Sequence, residues 1–125
     1  MKAEELKYTK DHVWVAAEGD LVIMGITDHA QKELGDIVFL ELPELGRKCS
    51  PGQAVGSIES IKTTNDLLAP VSGEVVEVNP LVRDKPDTVN IDPLGEGWLL
   101  KIRVSQPEEL LRLMDFDTYQ QSVQR

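Results

Sequence analysis

The chain has 125 residues, 13 Lys+Arg against 22 Asp+Glu, a formal net charge of −9 and a hydrophobic fraction of 41%. That length fits one domain, residues 1–125, able to hide roughly two-thirds of its unfolded surface, and the composition excludes whole-chain disorder. The acidic balance argues against partners made of nucleic acid or anionic membrane, and a single cysteine, Cys49, excludes both an intrachain disulfide and a structural cysteine-based zinc site.

The start, Met1-Lys2-Ala3-Glu4-Glu5, lacks the apolar run of a secretory signal, and no stretch approaches a membrane span. The expected setting is a reducing cytoplasm, or an organelle matrix if a presequence has been removed. Val13-Trp14-Val15-Ala16 and Leu21-Val22-Ile23-Met24-Gly25-Ile26 read as strands joined by a tight Gly19-Asp20 connection. Thr27 to Gly35 reads as a short helix, with an N-cap type first and a terminating glycine last.

Ile37-Val38-Phe39-Leu40-Glu41-Leu42 is a further strand, stopped by Pro43. Residues 53–60, 67–69, 73–78 and 98–104 complete the strand set, with Val75, Glu77 and Asn79 expected on one face. The stretch 80–97 is poorly patterned and is expected to be an Ω-like loop. Ser105-Gln106-Pro107-Glu108 has capping-box spacing and predicts a C-terminal helix with Leu110, Leu113 and Met114 on one stripe. A break is expected over 115–118, after which helix resumes at Tyr119.

Many short strands with Gly and Pro punctuation predict a mainly β barrel or sandwich. Within it, Val55 and Ile58 approach a polar turn, and Leu67, Ala69 and Val71 leave it at period 2. Lys62 lies at or beside the tip of that hairpin, where one amine is held out on a rigid support. On spacing alone such a lysine is most simply a solvated charge. His29 reads as a partly exposed helical histidine and Cys49 as a loop or core thiol. There is no Asp-x-Asp-x-Asp-Gly loop for calcium and no metal site is expected.

The ordered set of pieces carries more information than any one of them. Leu6-Lys7-Tyr8, His12-Val13-Trp14-Val15, Gly25-Ile26-Thr27-Asp28-His29-Ala30-Gln31, Leu34-Gly35-Asp36-Ile37-Val38-Phe39, Glu41-Leu42-Pro43-Glu44-Leu45-Gly46, Glu59-Ser60-Ile61-Lys62, Ala69-Pro70-Val71-Ser72-Gly73-Glu74-Val75, Glu77-Val78-Asn79, Val89-Asn90 and Gly97-Trp98 occur in this order over most of the chain. The set resembles the H-protein family of the glycine cleavage system, a family of lipoyl carriers.

The resemblance implies a barrel-sandwich hybrid like that of lipoyl and biotinyl carriers, with a short internal helix and a C-terminal helix. It implies a non-catalytic, monomeric carrier with lipoate amide-linked to Lys62. Such an arm reaches about 14 Å by ordinary bond lengths. Its dithiolane would take an aminomethyl group from glycine decarboxylase, yield the one-carbon unit to an aminomethyltransferase, and be reoxidised by dihydrolipoyl dehydrogenase. Glu59 and Asp66 flank Lys62 and are expected to serve the lipoate-attaching enzyme or the arm. His12, Trp14, Thr63 and Thr64 are expected in the arm's environment.

Two departures stand out. The usual His-Glu-Trp reads His12-Val13-Trp14, so a carboxylate expected near the loaded amine is missing. Thr63-Thr64-Asn65 replaces smaller residues after the lysine. Val13 raises an alternative: an H-like lipoyl carrier of another pathway, either lipoate relay or sulfur oxidation with heterodisulfide-reductase-like enzymes.

Overall fold

The computed structural model describes residues 2–123 and is mainly β. In chain order the elements are β1 (Lys7–Tyr8), β2 (Val13–Glu18), β3 (Leu21–Ile26), α1 (Asp28–Leu34), β4 (Ile37–Glu41), β5 (Lys48–Cys49), β6 (Ala54–Ser60), β7 (Thr64–Leu68), β8 (Gly73–Val78), α2 (Pro80–Asp84), α3 (Thr88–Ile91), β9 (Leu100–Val104) and α4 (Phe116–Val123). Short 3-10 turns cover Ala3–Glu5 and Pro107–Arg112. The strands form two sheets rather than one closed barrel: a six-stranded sheet in the order β1-β2-β3-β9-β8-β5, and a three-stranded sheet in the order β4-β6-β7. No helix among the described residues is long and apolar enough to cross a membrane.

The main core holds side chains from both sheets. Val13, Val15, Val22, Met24, Val75, Leu100 and Ile102 come from the larger sheet, and Ile37, Leu40, Val55, Ile58 and Leu67 from the smaller. Because β2 alternates, Val13 and Val15 enter this core while Trp14 enters a second cluster with Leu6, Tyr8 and Tyr119. Trp14 lies against its cross-strand partner Gly25, where any Cβ would come within 2.8 Å of the indole. The larger sheet is therefore covered on both faces, the second time by the C-terminal segment.

Two bulges alter the expected faces. In β4, Ile37 pairs with Ser60 and Phe39 with the next residue, Glu59, so Val38 is extra. That insertion turns Phe39 outward between buried Ile37 and Leu40. In β8, Val75 pairs with Ile102 and Glu77 with Lys101, making Val76 extra. Val75 is buried and Glu77 exposed, which corrects the single face expected from strict alternation.

Two further expectations are corrected. Residues 80–97 are not an open loop but contain α2 and α3. Buried Asn79 closes both ends of the segment: its Oδ1 accepts from Leu81 N at 3.0 Å, and its Nδ2 donates to the Glu96 and Trp98 carbonyls, each at 2.7 Å. At the C-terminus, the Ser105–Glu108 box does not close, and the chain makes a 3-10 turn there instead of an α-helix. Buried Glu109 is taken by Ser72, accepting from its N at 2.6 Å and its Oγ at 2.9 Å. Met114 then extends to bond Tyr8 in both directions at 2.8 Å. The helix restarts at Phe116, inside the expected break, with Asp115 accepting from Thr118 N at 2.8 Å.

Candidate functional site

Lys62 occupies the turn between β6 and β7. Ser60 N donates to the Thr63 carbonyl at 2.8 Å, closing a four-residue turn with Lys62 in its third position. The Ser60 hydroxyl accepts from Lys62 N and Thr63 N, each at 3.2 Å, and lies 3.3 Å from the Thr63 carbonyl it donates to. Ile61 N adds a bond to the Asp36 carbonyl at 3.0 Å, tying the tip to the start of β4. The backbone of the tip is thus fixed by hydrogen bonds, while Lys62, Thr63 and Thr64 are exposed.

The lysine side chain lies back over the end of α1. Its Nζ donates to the Glu33 carbonyl at 3.3 Å, and its Cε lies 2.9 Å from where a Cβ on Gly35 would be. Gly35 has φ 78 and ψ −157, a conformation that strongly favours glycine. One residue therefore ends the helix and leaves room for the lysine. Thr27 caps the other end, its Oγ1 accepting from Ala30 N at 3.2 Å, as its sequence position predicts.

Asn90 of α3, given no site role in the sequence beyond its place in the Val89-Asn90 piece, clamps this corner. Its Oδ1 accepts from Ile37 N at 2.9 Å, and its Nδ2 donates to the Gly35 carbonyl at 2.9 Å and to Gln31 Oε1 at 3.0 Å. No local pattern announces such a contact between residues more than fifty positions apart.

Beside the hairpin runs an open groove of about 430 Å³, bounded by Lys10, Asp11, His12 and Val13 on one side and Asn65, Asp66 and Leu67 of β7 on the other, with Ile26 and Ile58 between. Asn65 is three residues from Lys62, at most about 10 Å of extended chain. Asp11, absent from the sequence expectations, brings a second carboxylate residue to the groove, whereas Val13 is buried beneath it. The loop carrying Asp11 is held by the Thr9 hydroxyl, which accepts from Asp11 N at 3.1 Å and Val13 N at 3.2 Å.

His12 sits at the bend of this loop with φ 65, the described non-glycine residue with positive φ. Its Nδ1 is 2.8 Å from Tyr119 Oη, which is 2.7 Å from Thr27 Oγ1. Burial, and next the neighbouring His29 ring at 4.8 Å, push the His12 imidazole below its ordinary value of 6.5. Burial also raises the Tyr119 phenol.

The structure therefore brings His12 and Asp66 to the groove and places Thr63, Thr64 and Glu59 on the exposed hairpin. It separates Trp14 from both: the indole is fully buried in the second cluster, its Nε1 donating to the Pro93 carbonyl at 2.8 Å. Trp14 is a packing residue because its strand neighbour Val13, not Trp14, faces the side of the groove. Cys49 is buried, and burial raises its thiol.

Comparison with known proteins places these features in a family. A family profile described as glycine cleavage H-protein matches residues 6–125. The glycine cleavage system H protein of Rubrobacter xylanophilus is 54% identical over 108 residues, 86% of each chain. That of Symbiobacterium thermophilum is 50% identical over 115 residues, covering 92% of this chain and 90% of the relative. The crystal structure of a glycine cleavage system H protein from Mycobacterium marinum superposes with a TM-score of 0.86 at 39% identity, covering 98% of both chains.

Proposed function

This chain belongs to the glycine cleavage H-protein family, and from that premise we propose that Lys62 is the attachment point of a lipoyl arm and that the protein is a non-catalytic carrier in glycine cleavage. The observation that carries the reading is an exposed primary amine on a turn whose backbone is fixed by Ser60. The residues fit the group: the amine is open to an attaching enzyme, and a groove lies within the arm's reach. When attached, lipoate supplies a strained disulfide that accepts two electrons and a carbon unit.

The chain's own residues supply placement. Val13, Ile26, Ile58 and Leu67 offer the groove an apolar floor, against which methylenes of the arm gain about 0.8 kcal/mol each. Asp11 and Asp66 offer carboxylates to a cationic amine, in the place of the one that Val13 cannot provide. Glu59 stays on the exposed face for the attaching enzyme. The proposed partners are glycine decarboxylase, the aminomethyltransferase, dihydrolipoyl dehydrogenase and a lipoate-attaching enzyme. The chain serves them as one monomeric domain in a reducing cytoplasm. The relatives described above all carry the glycine cleavage name, so the other pathways raised by Val13 are not favoured.

Intact mass after incubation with a lipoate ligase, ATP and lipoate tests the site. One lipoyl addition is expected on the wild type and none on Lys62→Ala; no addition to the wild type, or an adduct on Lys10 or Lys32, rejects it. Glycine–bicarbonate exchange in the reconstituted system tests the pathway.

A further inference from the structure

The bulge in β4 leaves an aromatic ring in solvent where simple alternation would bury it. Phe39 is 54% exposed, with Val38 at 48% beside it and Ile61 at 67% on the adjoining tip. Scattered exposed hydrophobics are ordinary; three gathered at the root of one functional side chain are not. The register shows what surrounds them. Phe39, Glu59 and Thr64 form one cross-strand row on the outer face of the three-stranded sheet, and Glu41, Ser57 and Asp66 form the next. These two rows contain three carboxylates and no cation. Lys62 is the nearest positive charge along the hairpin, and amidation removes it.

We propose that this outer face, with Phe39 on its edge strand β4 beside the Lys62 turn, is where the arm-loading decarboxylase docks. The proposal rests on the carrier reading above and adds the surface through which it works. The charge pattern selects the occupant. An anionic lipid surface or a nucleic acid is repelled by the acidic rows, and a second copy of the chain would set like charges against each other. What fits is a protein face with an apolar seat for Phe39 and Lys or Arg at its rim.

Among enzymes that receive the arm, the decarboxylase has the greatest need of such a seat. Loss of CO₂ from glycine leaves a carbon nucleophile that water would protonate before it met the disulfide. An apolar contact around the root of the arm closes the mouth through which bulk water would follow the arm to the distant disulfide. The patch borders the Lys62 turn directly, since Phe39 pairs with Glu59 and Ile61 precedes the lysine.

The test is a titration of immobilised glycine decarboxylase with the chain, both lipoylated and unmodified, at two salt concentrations. Phe39→Ser should raise Kd at least tenfold, equivalent to 1.4 kcal/mol, by a similar factor in both forms. Leu111→Ser, at a residue 88% exposed on the Pro107–Arg112 turn, should stay within twofold of wild type. Glu41→Gln should weaken binding about threefold at low salt and flatten the salt dependence. Far-UV circular dichroism checks each variant, and Ile61→Ser repeats the measurement at a turn position should Phe39→Ser be misfolded.

Phe39→Ser or Ile61→Ser binding within twofold of wild type, or Leu111→Ser losing as much as they do, overturns the proposal. Absence of a lipoyl adduct on the wild type rejects the carrier reading instead, and is read by mass in a separate sample.

Discussion

The two sheets of this molecule are treated in opposite ways. The six-stranded sheet is covered twice: Val13, Val15, Leu100 and Ile102 pack inward, while Trp14 and Tyr8 pack against the C-terminal segment, Tyr8 stacking on Tyr119 with centroids 4.6 Å apart. The three-stranded sheet buries Ile37, Leu40, Ile58 and Leu67 on one face and leaves Phe39, Glu41, Glu59 and Asp66 exposed on the other. The first arrangement provides a base packed on both faces. The second leaves one face exposed, so order at its tip comes from hydrogen bonds rather than from packing.

The strongest way to break this contrast is Trp14→Ala. It removes a fully buried indole, opens a cavity and strips the Pro93 carbonyl of its donor. A loss of about 3–5 kcal/mol is expected in urea titration, against a change within about 0.5 kcal/mol for Thr64→Ala on the open face. Equal costs would mean that the two sheets are not differently supported.

Gly35→Ala sharpens the comparison at the border between base and tip. Its backbone conformation is glycine-favoured, so a cost of about 1–3 kcal/mol is expected. The added methyl also meets Lys62 Cε, so the initial rate of lipoylation should change along with stability. A stability loss with an unaltered rate would separate the helix end from the lysine.

The smallest effect concerns pH. Because His12 has its folded value lowered, mainly by burial, the unfolded chain binds the proton more readily. The stability tied to neutral His12 is fully present above its ordinary 6.5 and is lost as pH falls through the lower folded value. Thermal unfolding from pH 7 to pH 5 should show a steeper decline for wild type than for His12→Asn, which suits the positive φ but does not titrate. Asp28, held low chiefly by its bond to Lys32, acts in a separate window, its contribution lost only as pH falls below 3.8. Parallel curves for wild type and His12→Asn would remove the histidine from the account.

Local chemistry was legible in the sequence; insertions and distant contacts were not. The α1 helix was readable because Thr27 and Gly35 act within a few residues of themselves. The β2–β3 pair was readable from alternation and its Gly19-Asp20 turn, and the exposed lysine from the polar interval between two apolar runs. The bulges at Val38 and Val76 were hidden, since an added residue leaves composition unchanged and only the partner strand reveals the slip. The Ser105–Glu108 box misled because Ser72, far away in sequence, holds the neighbouring Glu109. The resemblance puts Trp14 in the arm's environment together with His12, but alternation along β2 sends it to the opposite side from Val13. Tyr119 and Asn90 reach His12 and Gly35 only through the fold.

The resting position of Lys62 has a consequence for the modification proposed for it. The ammonium leans on a backbone carbonyl at the negative end of α1, held there partly by its charge. Acylation turns that nitrogen into a neutral amide, which retains a single hydrogen to offer and no longer feels the same pull. On the proposed reading the bare side chain is moored and the acylated one would be cast off, so attachment of the cargo holder would also release its swivel.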